Sequence, residues 1–254
     1  MKRQVLLLSI CLIVAFSPAA FAGFTGTELT TLNGKYGSSW DSNGGSPYDL
    51  WRVLSDAGYT ALANDIQFDI KGGGTPSSNY HVYKNTFWQA DGGYNSWFVA
   101  EVAGYAPNNR FGWYEKGRAG DVGNTSESTW VQLFSGPDTS GKTADFFNSD
   151  EIGFWINPDG VSGKYFFTNT YPNFGNLQAL VFDLSGYSGF DNNEYLICWE
   201  DLRYYGCTDR DFQDMIIRLK ATPTTPEPAT LSLLGLGLIG FVAKIKKKGG
   251  EKNR

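Results

Sequence analysis

Glu151-Ile152-Gly153-Phe154-Trp155-Ile156-Asn157-Pro158-Asp159-Gly160 sets bulky apolar residues at every second position and then stops in a turn-forming quartet. A period of two puts Ile152, Phe154 and Ile156 on one face of a strand, and Pro, Asp and Gly supply the dihedrals that reverse the chain. The same pattern recurs outward from it. Ile66, Phe68 and Ile70 alternate with Gln67 and Asp69, ahead of Lys71-Gly72-Gly73-Gly74-Thr75-Pro76. Phe98, Ala100 and Val102 follow the rule, as do Trp130 and Leu133 around Val131. So do Leu180, Phe182 and Leu184, and Tyr195, Ile197 and Trp199. With 31 glycines in 254 residues and 16% aromatics, the chain is rich in turns and in flat, strand-favouring side chains. Nine or ten short strands predict an all-β fold, an antiparallel β-sandwich or jelly roll over residues 23–220. One short helix is expected: Ser46 caps it, Pro47 opens it, Asp49 sits in its first turn, Leu50, Trp51 and Leu54 pack, and Gly58 ends it. This helix reads as a lid on the sandwich.

Both termini read as addresses. Met1-Lys2-Arg3 is a positive start, residues 5–16 are apolar, and Ala20-Phe21-Ala22 is a small-x-small cleavage site. Residues 1–22 are therefore expected to be a signal peptide, with the mature chain starting at Gly23. The competing reading, an uncleaved anchor, needs about 20 apolar residues, more than this run supplies. At the other end a Thr- and Pro-rich linker over residues 221–226 leads into Pro226-Glu227-Pro228. An apolar span over about 229–245 follows, then Lys244, Lys246, Lys247 and Lys248, which by the positive-inside rule stay in the cytoplasm. A permanent anchor is the plain alternative. The tail, residues 226–254, resembles the PEP-CTERM signal of Gram-negative bacteria. That resemblance implies recognition of Pro226, Glu227 and Pro228 by an exosortase-type processing enzyme. It also implies transient lodging in the inner membrane, then release to the cell surface or extracellular matrix.

Charge and cysteine usage agree with export. Residues 23–222 hold 13 Lys plus Arg against 24 Asp plus Glu, a net charge of about −11 that the six cationic residues after Phe241 partly mask in the whole-chain value of −5. Such a surface repels nucleic acid. Cys11 leaves with the signal, so Cys198 and Cys207 remain, and an oxidising exterior favours a disulfide between them. Its short loop would contribute about 2.5 to 3 kcal/mol in the chain-entropy picture. A zinc tetrahedron lacks ligands, since the only histidine is His81.

The densest chemistry lies in Trp199-Glu200-Asp201-Leu202-Arg203-Tyr204-Tyr205-Gly206-Cys207-Thr208-Asp209-Arg210-Asp211-Phe212-Gln213-Asp214. Glu200, Asp201, Asp209, Asp211 and Asp214 are spaced irregularly, as hard cations accept, and Ca2+ takes six to eight oxygens. Two carboxylates about 5 Å apart repel by about 3 kcal/mol at an effective dielectric of 20. Positive charge is needed, and two sources stand: a calcium ion, or Arg203 and Arg210 in the same loop. The spacing is not that of an EF-hand.

Phe98-Val99-Ala100-Glu101-Val102-Ala103-Gly104-Tyr105-Ala106-Pro107-Asn108-Asn109-Arg110-Phe111-Gly112-Trp113-Tyr114, Glu151 to Ile156, and the closing Glu-Asp then Asp-x-Asp-aromatic-x-Asp hairpin carry a second resemblance. Over residues 97–219 the chain resembles an uncharacterised bacterial surface domain that travels with PEP-CTERM tails. The resemblance implies an extracellular β domain with a calcium loop and no known catalytic activity; the longer loop here, with Cys207 and two Arg, departs from the pattern.

Enzyme signatures are missing. Gly-x-Ser-x-Gly, His-Glu-x-x-His and a phosphate-binding Gly-Lys-Thr loop in its proper context do not occur, and His81 reads as a packed or surface residue. Glycoside hydrolysis needs only two suitably spaced carboxylates, and nothing singles out a pair. Trp88, Tyr94 and Trp113 adjoin Gly or polar residues and are the candidates for a carbohydrate platform. The expected function is that of a non-catalytic surface or matrix protein. A carbohydrate-binding module for exopolysaccharide is the alternative, and a glycan-active enzyme comes third.

Overall fold

The computed structural model describes residues 24–29, 49–70, 76–89, 93–102, 107–115, 130–147, 151–158, 165–168, 173, 177–201 and 212–222. One compact unit spans Ala22–Pro223. Residues 1–22, the motif Pro226, Glu227 and Pro228, and the apolar segment 229–245 lie outside the described residues. No helix among the described residues is long and apolar enough to cross a membrane.

Eleven strands occur among the described residues: β1 (Phe24–Leu29), β2 (Val82–Gln89), β3 (Gly93–Glu101), β4 (Arg110–Glu115), β5 (Val131–Ser135), β6 (Thr143–Phe147), β7 (Glu151–Asn157), β8 (Phe166–Phe167), β9 (Ala179–Asp183), β10 (Glu194–Trp199) and β11 (Met215–Ala221). The hydrogen-bonded order is β5-β4-β7-β2-β9-β10-β11-β3-β6, with β1 beside β2 and β8 beside β7. Its pairs are antiparallel. Strand β2 joins the two halves, because its start pairs β9 and its end pairs β7.

Ring contacts show that the sheet folds over on itself. Phe111 on β4 and Trp199 on β10 are four strand spacings apart in the order, about 19 Å in a flat sheet, yet their centroids are 6.1 Å apart. Phe98 on β3 meets Phe134 on β5 at 5.9 Å, although the two strands stand near opposite ends of the order. The result is the expected β-sandwich. Trp88, Phe111, Phe154, Ile197, Trp199 and Ile217 belong to its inner core.

Alternation accounts for both faces of each central strand. In β10, Tyr195, Ile197 and Trp199 point into the inner core, while Leu196 and Cys198 point the other way into a second core. That second core lies under two helices, α1 (Leu50–Asp56) and α2 (Thr60–Ile70). A third cluster, Tyr114, Trp155 and Phe167 with Phe87, Trp130 and Tyr165, covers the outer face of β4 and β7.

Two expectations need correction. The helix at Leu50 begins after Asp49, whose side chain makes no capping bond, and Ser46 and Pro47 lie outside the described residues. The run Ile66, Phe68 and Ile70 is helical, not a strand. Tyr59, Leu62, Ala63 and Ile66 are buried at spacings of three and four, whereas Phe68 is 46% exposed. The period of 3.6 over eight residues therefore outweighs a period of two over five. Gly58, at φ 93°, makes the left-handed turn that separates the two helices.

Candidate cation site at the closing hairpin

The register of β10 and β11 assembles the site. Trp199 pairs with Met215, and the Asp214 amide donates to the Trp199 carbonyl at 3.0 Å. The residues just past that pair, Glu200 and Asp201 on one side and Asp214 on the other, are therefore brought face to face. One carboxylate oxygen from each lies within 4.8 Å of the others. All three residues are buried, at 1%, 3% and 9% exposure. The Asp201 amide donates to Asp214 Oδ2 at 2.7 Å. Glu200 is held through its main chain: its amide donates to the Gln178 carbonyl at 3.0 Å, and Gln178 Nε2 returns a bond to its carbonyl at 3.1 Å. Ionised carboxylates at this spacing repel by about 3 kcal/mol per pair at an effective dielectric of 20, so positive charge at this turn is favourable.

Two further oxygen-bearing side chains border the trio. Asn109, immediately before β4, is fully buried and donates from Nδ2 to Asp201 Oδ2 at 3.1 Å. Its Oδ1 is out of solvent and has no hydrogen-bond partner, a state that costs about 1–3 kcal/mol. Glu101 closes β3 opposite Met215, and the neighbouring Val102 amide donates to the Asp214 carbonyl at 3.3 Å. Both Glu101 carboxylate oxygens are out of solvent without completed hydrogen bonds. Burial pushes its pKa up to about 8; the charges of Asp201 and Asp138 push the same way, and the nearby Asn109 amide opposes them. Asn109 is shared between this cluster and an open groove of about 490 Å³, which Asn108, Arg110, Gln132 and Ser135 also line.

The structure thus brings Glu200, Asp201 and Asp214 together. Asp209 and Asp211 lie outside the described residues, as do Arg203 and Arg210. Neither Glu101 nor Asn109 stands out in the sequence as a site residue. Glu101 reads as the polar end of an alternating strand and Asn109 as a turn residue; the return of β11 beside β3 encloses the first, and the fold-over that brings the start of β4 to Asp201 encloses the second.

Two other expectations are corrected here. Cys198 carries a free, fully buried thiol that faces the helices, and no disulfide joins it to Cys207, which lies outside the described residues. Burial pushes the thiol pKa well up, which makes it a packed apolar group. Trp88, Tyr94 and Trp113 cannot form a sugar platform. Their exposures are 1%, 1% and 8%, and their rings pack inward, Trp88 on Phe154 at 4.8 Å, Tyr94 on Phe146 at 5.1 Å and Trp113 on Phe146 at 5.8 Å. His81 sits on the surface, with Nδ1 2.6 Å from Glu28 Oε1 across β1 and β2.

The fold and this closing turn define an antiparallel β-sandwich domain with an acidic, enclosed end, and the family comparisons add the remaining context. Residues 137–222 match the family model described as Domain of unknown function (DUF4114), a stretch that begins after β5 and includes the acidic trio. Residues 224–248 match the PEP-CTERM protein-sorting motif. The chain therefore carries the signal of an exosortase-processed extracellular protein, anchored transiently at its C-terminus before it reaches the cell surface or the exterior. No curated protein and no solved structure matches the chain significantly.

Proposed function

We propose that this chain is a non-catalytic surface or extracellular-matrix protein whose β-sandwich is stiffened at its closing hairpin by a calcium ion on Glu200, Asp201 and Asp214. The observation that carries the reading is the meeting of three buried carboxylates within 4.8 Å at the strand ends that precede the sorting tail. Oxygen-only ligands of this kind suit a hard divalent cation, and extracellular calcium is abundant enough for a site of modest affinity. The same geometry argues against glycan hydrolysis, which needs two carboxylates facing each other across a substrate cleft. Here the carboxylates are enclosed, and Asp214 is engaged by the Asp201 main chain. Export would begin with removal of residues 1–22, and the body would act by presence and adhesion once released.

The test joins delivery to role. In the producing cell, Pro226→Ala, Glu227→Ala and Pro228→Ala together should hold the chain in the membrane fraction and deplete the matrix of it. The native form recovered from the surface should begin at Gly23 and have lost the basic tail. A triple variant that still reaches the matrix with the native mass, or a matrix unchanged in its absence, would overturn the reading.

A further inference from the structure

We propose that the cation site extends beyond the acidic trio to Asn109 and Glu101, so that one divalent ion ties the β3–β4 crossover to the β10–β11 hairpin. This rests on the cation reading above and names its ligands and its mechanical consequence. Two observations carry it independently of the cluster of acids. Asn109 is fully buried, and its Oδ1 has no partner although Nδ2 of the same amide touches Asp201. A half-turn of that amide puts the oxygen where the donor now stands, facing the carboxylates, which is the group a cation would draw. Both Glu101 oxygens are likewise out of solvent without completed hydrogen bonds, at the strand end that pairs with the start of β11. The three carboxylates of the hairpin are acceptors themselves and cannot satisfy these orphaned oxygens; an ion among them can.

The chemistry points to calcium over magnesium. The set offers four carboxylates and one amide oxygen, from residues spread over four strand ends, and calcium tolerates such mixed, irregular shells. Magnesium demands near-octahedral geometry and gives up its water reluctantly. The groove that Asn109 shares with Arg110 and Gln132 lies beside this end of the sandwich. The consequence concerns the fold: β3 belongs to one half of the sandwich and β4 to the other, so an ion held by Glu101, Asn109 and the trio fastens the two halves at one end. Glu101 and Asn109 precede the segment 137–222 that matches the DUF4114 model, so this bridging is a property of the chain beyond that match.

The experiment is calcium titration of the full chain in detergent, by calorimetry and by competition with terbium luminescence. Wild type, Glu101→Gln, Asn109→Ala, Asn109→Asp and Asp201→Asn are compared. Wild type should bind one calcium per chain, and Glu101→Gln and Asn109→Ala should each weaken it about tenfold or more. Asn109→Asp should bind at least as tightly as wild type, because it keeps an oxygen at the position. Amide hydrogen exchange on the unmutated chain gives a second readout: calcium should slow exchange at Val102, on the β3 side, as well as at Asp201. If wild type and Asp201→Asn both fail to bind, the cation reading falls and this inference with it. If wild type binds while Glu101→Gln and Asn109→Ala bind equally well, and protection is confined to Asp201, the bridge is refuted and the trio alone holds the ion.

Discussion

Replacing Phe154 with Ala should cost far more than replacing Phe68, and the comparison tests how the two halves of the chain are built. Phe154 is fully buried between the layers, with its ring 4.8 Å from that of Trp88, 5.4 Å from Phe111 and 6.0 Å from Phe146. Truncation there removes contacts to three strands at once, and buried Phe→Ala changes cost about 3–5 kcal/mol. For a domain of this size each kcal/mol lowers the melting temperature by about 2–4 °C, so a fall of about 6–20 °C is expected. Phe68 lies on α2 and is 46% exposed. Truncation there gives up only part of a burial worth about 1.5–3 kcal/mol, and alanine's better helix propensity returns about 0.5 kcal/mol. The net change should be about 1 kcal/mol or less. Differential scanning calorimetry on the two variants in one buffer makes the comparison. Equal losses would mean that Phe68 faces a core, as a strand over residues 66–70 would require. A near-neutral Phe154→Ala would refute the folded-over sheet.

Two other outcomes follow from the site and the core. Asp201→Asn should cost less stability in chelator than in calcium. In chelator it removes one of three closely spaced charges, which offsets part of the hydrogen bonding to Asn109 that it disturbs; in calcium it also removes a ligand and should melt further below wild type. A variant below wild type in both by the same amount would show a purely structural role. Alkaline titration followed at 295 nm should leave a set of tyrosines silent until the fold opens. Burial raises the Tyr59 phenol from 10.0 to about 12, and pushes Tyr114 and Tyr195 higher still. A raised folded pKa means that stability is full below about pH 10 and falls as pH rises through the folded value. Ionisation of every tyrosine near pH 10 in the folded state would contradict that burial.

How far the sequence reaches is best seen residue by residue. Strands β7, β9 and β10 were legible because Ile152, Phe154 and Ile156, or Tyr195, Ile197 and Trp199, fill one face without interruption. Residues 66–70 misled because Phe68, on the solvent side of a helix, mimics a strand period over five positions. The acidic trio was legible because its members flank a hairpin, so local pairing brings them together. Glu101 was not, since its approach depends on the non-local pairing of β11 with β3, and neither was Asn109, which reaches Asp201 from the start of β4 in the other half of the sheet. The aromatic platform failed for a related reason. Neighbouring Gly and polar residues suggested exposure for Trp88, Tyr94 and Trp113, yet a folded-over sheet has two sides to fill, and these rings fill the inner one. Cys198 alternates with Trp199 and so faces the helices, a direction that spacing to Cys207 does not reveal.

The most direct test of the whole account is the melting temperature of the full chain in millimolar calcium against the same chain in chelator. If the ion binds with a dissociation constant near 10 µM, about 1 mM calcium is 100-fold above it and adds about 2.7 kcal/mol. At about 2–4 °C per kcal/mol the transition should rise by about 5–11 °C, and magnesium at the same concentration should not reproduce it. A transition that stays in place when calcium is added or removed would contradict a cation-fastened closing end.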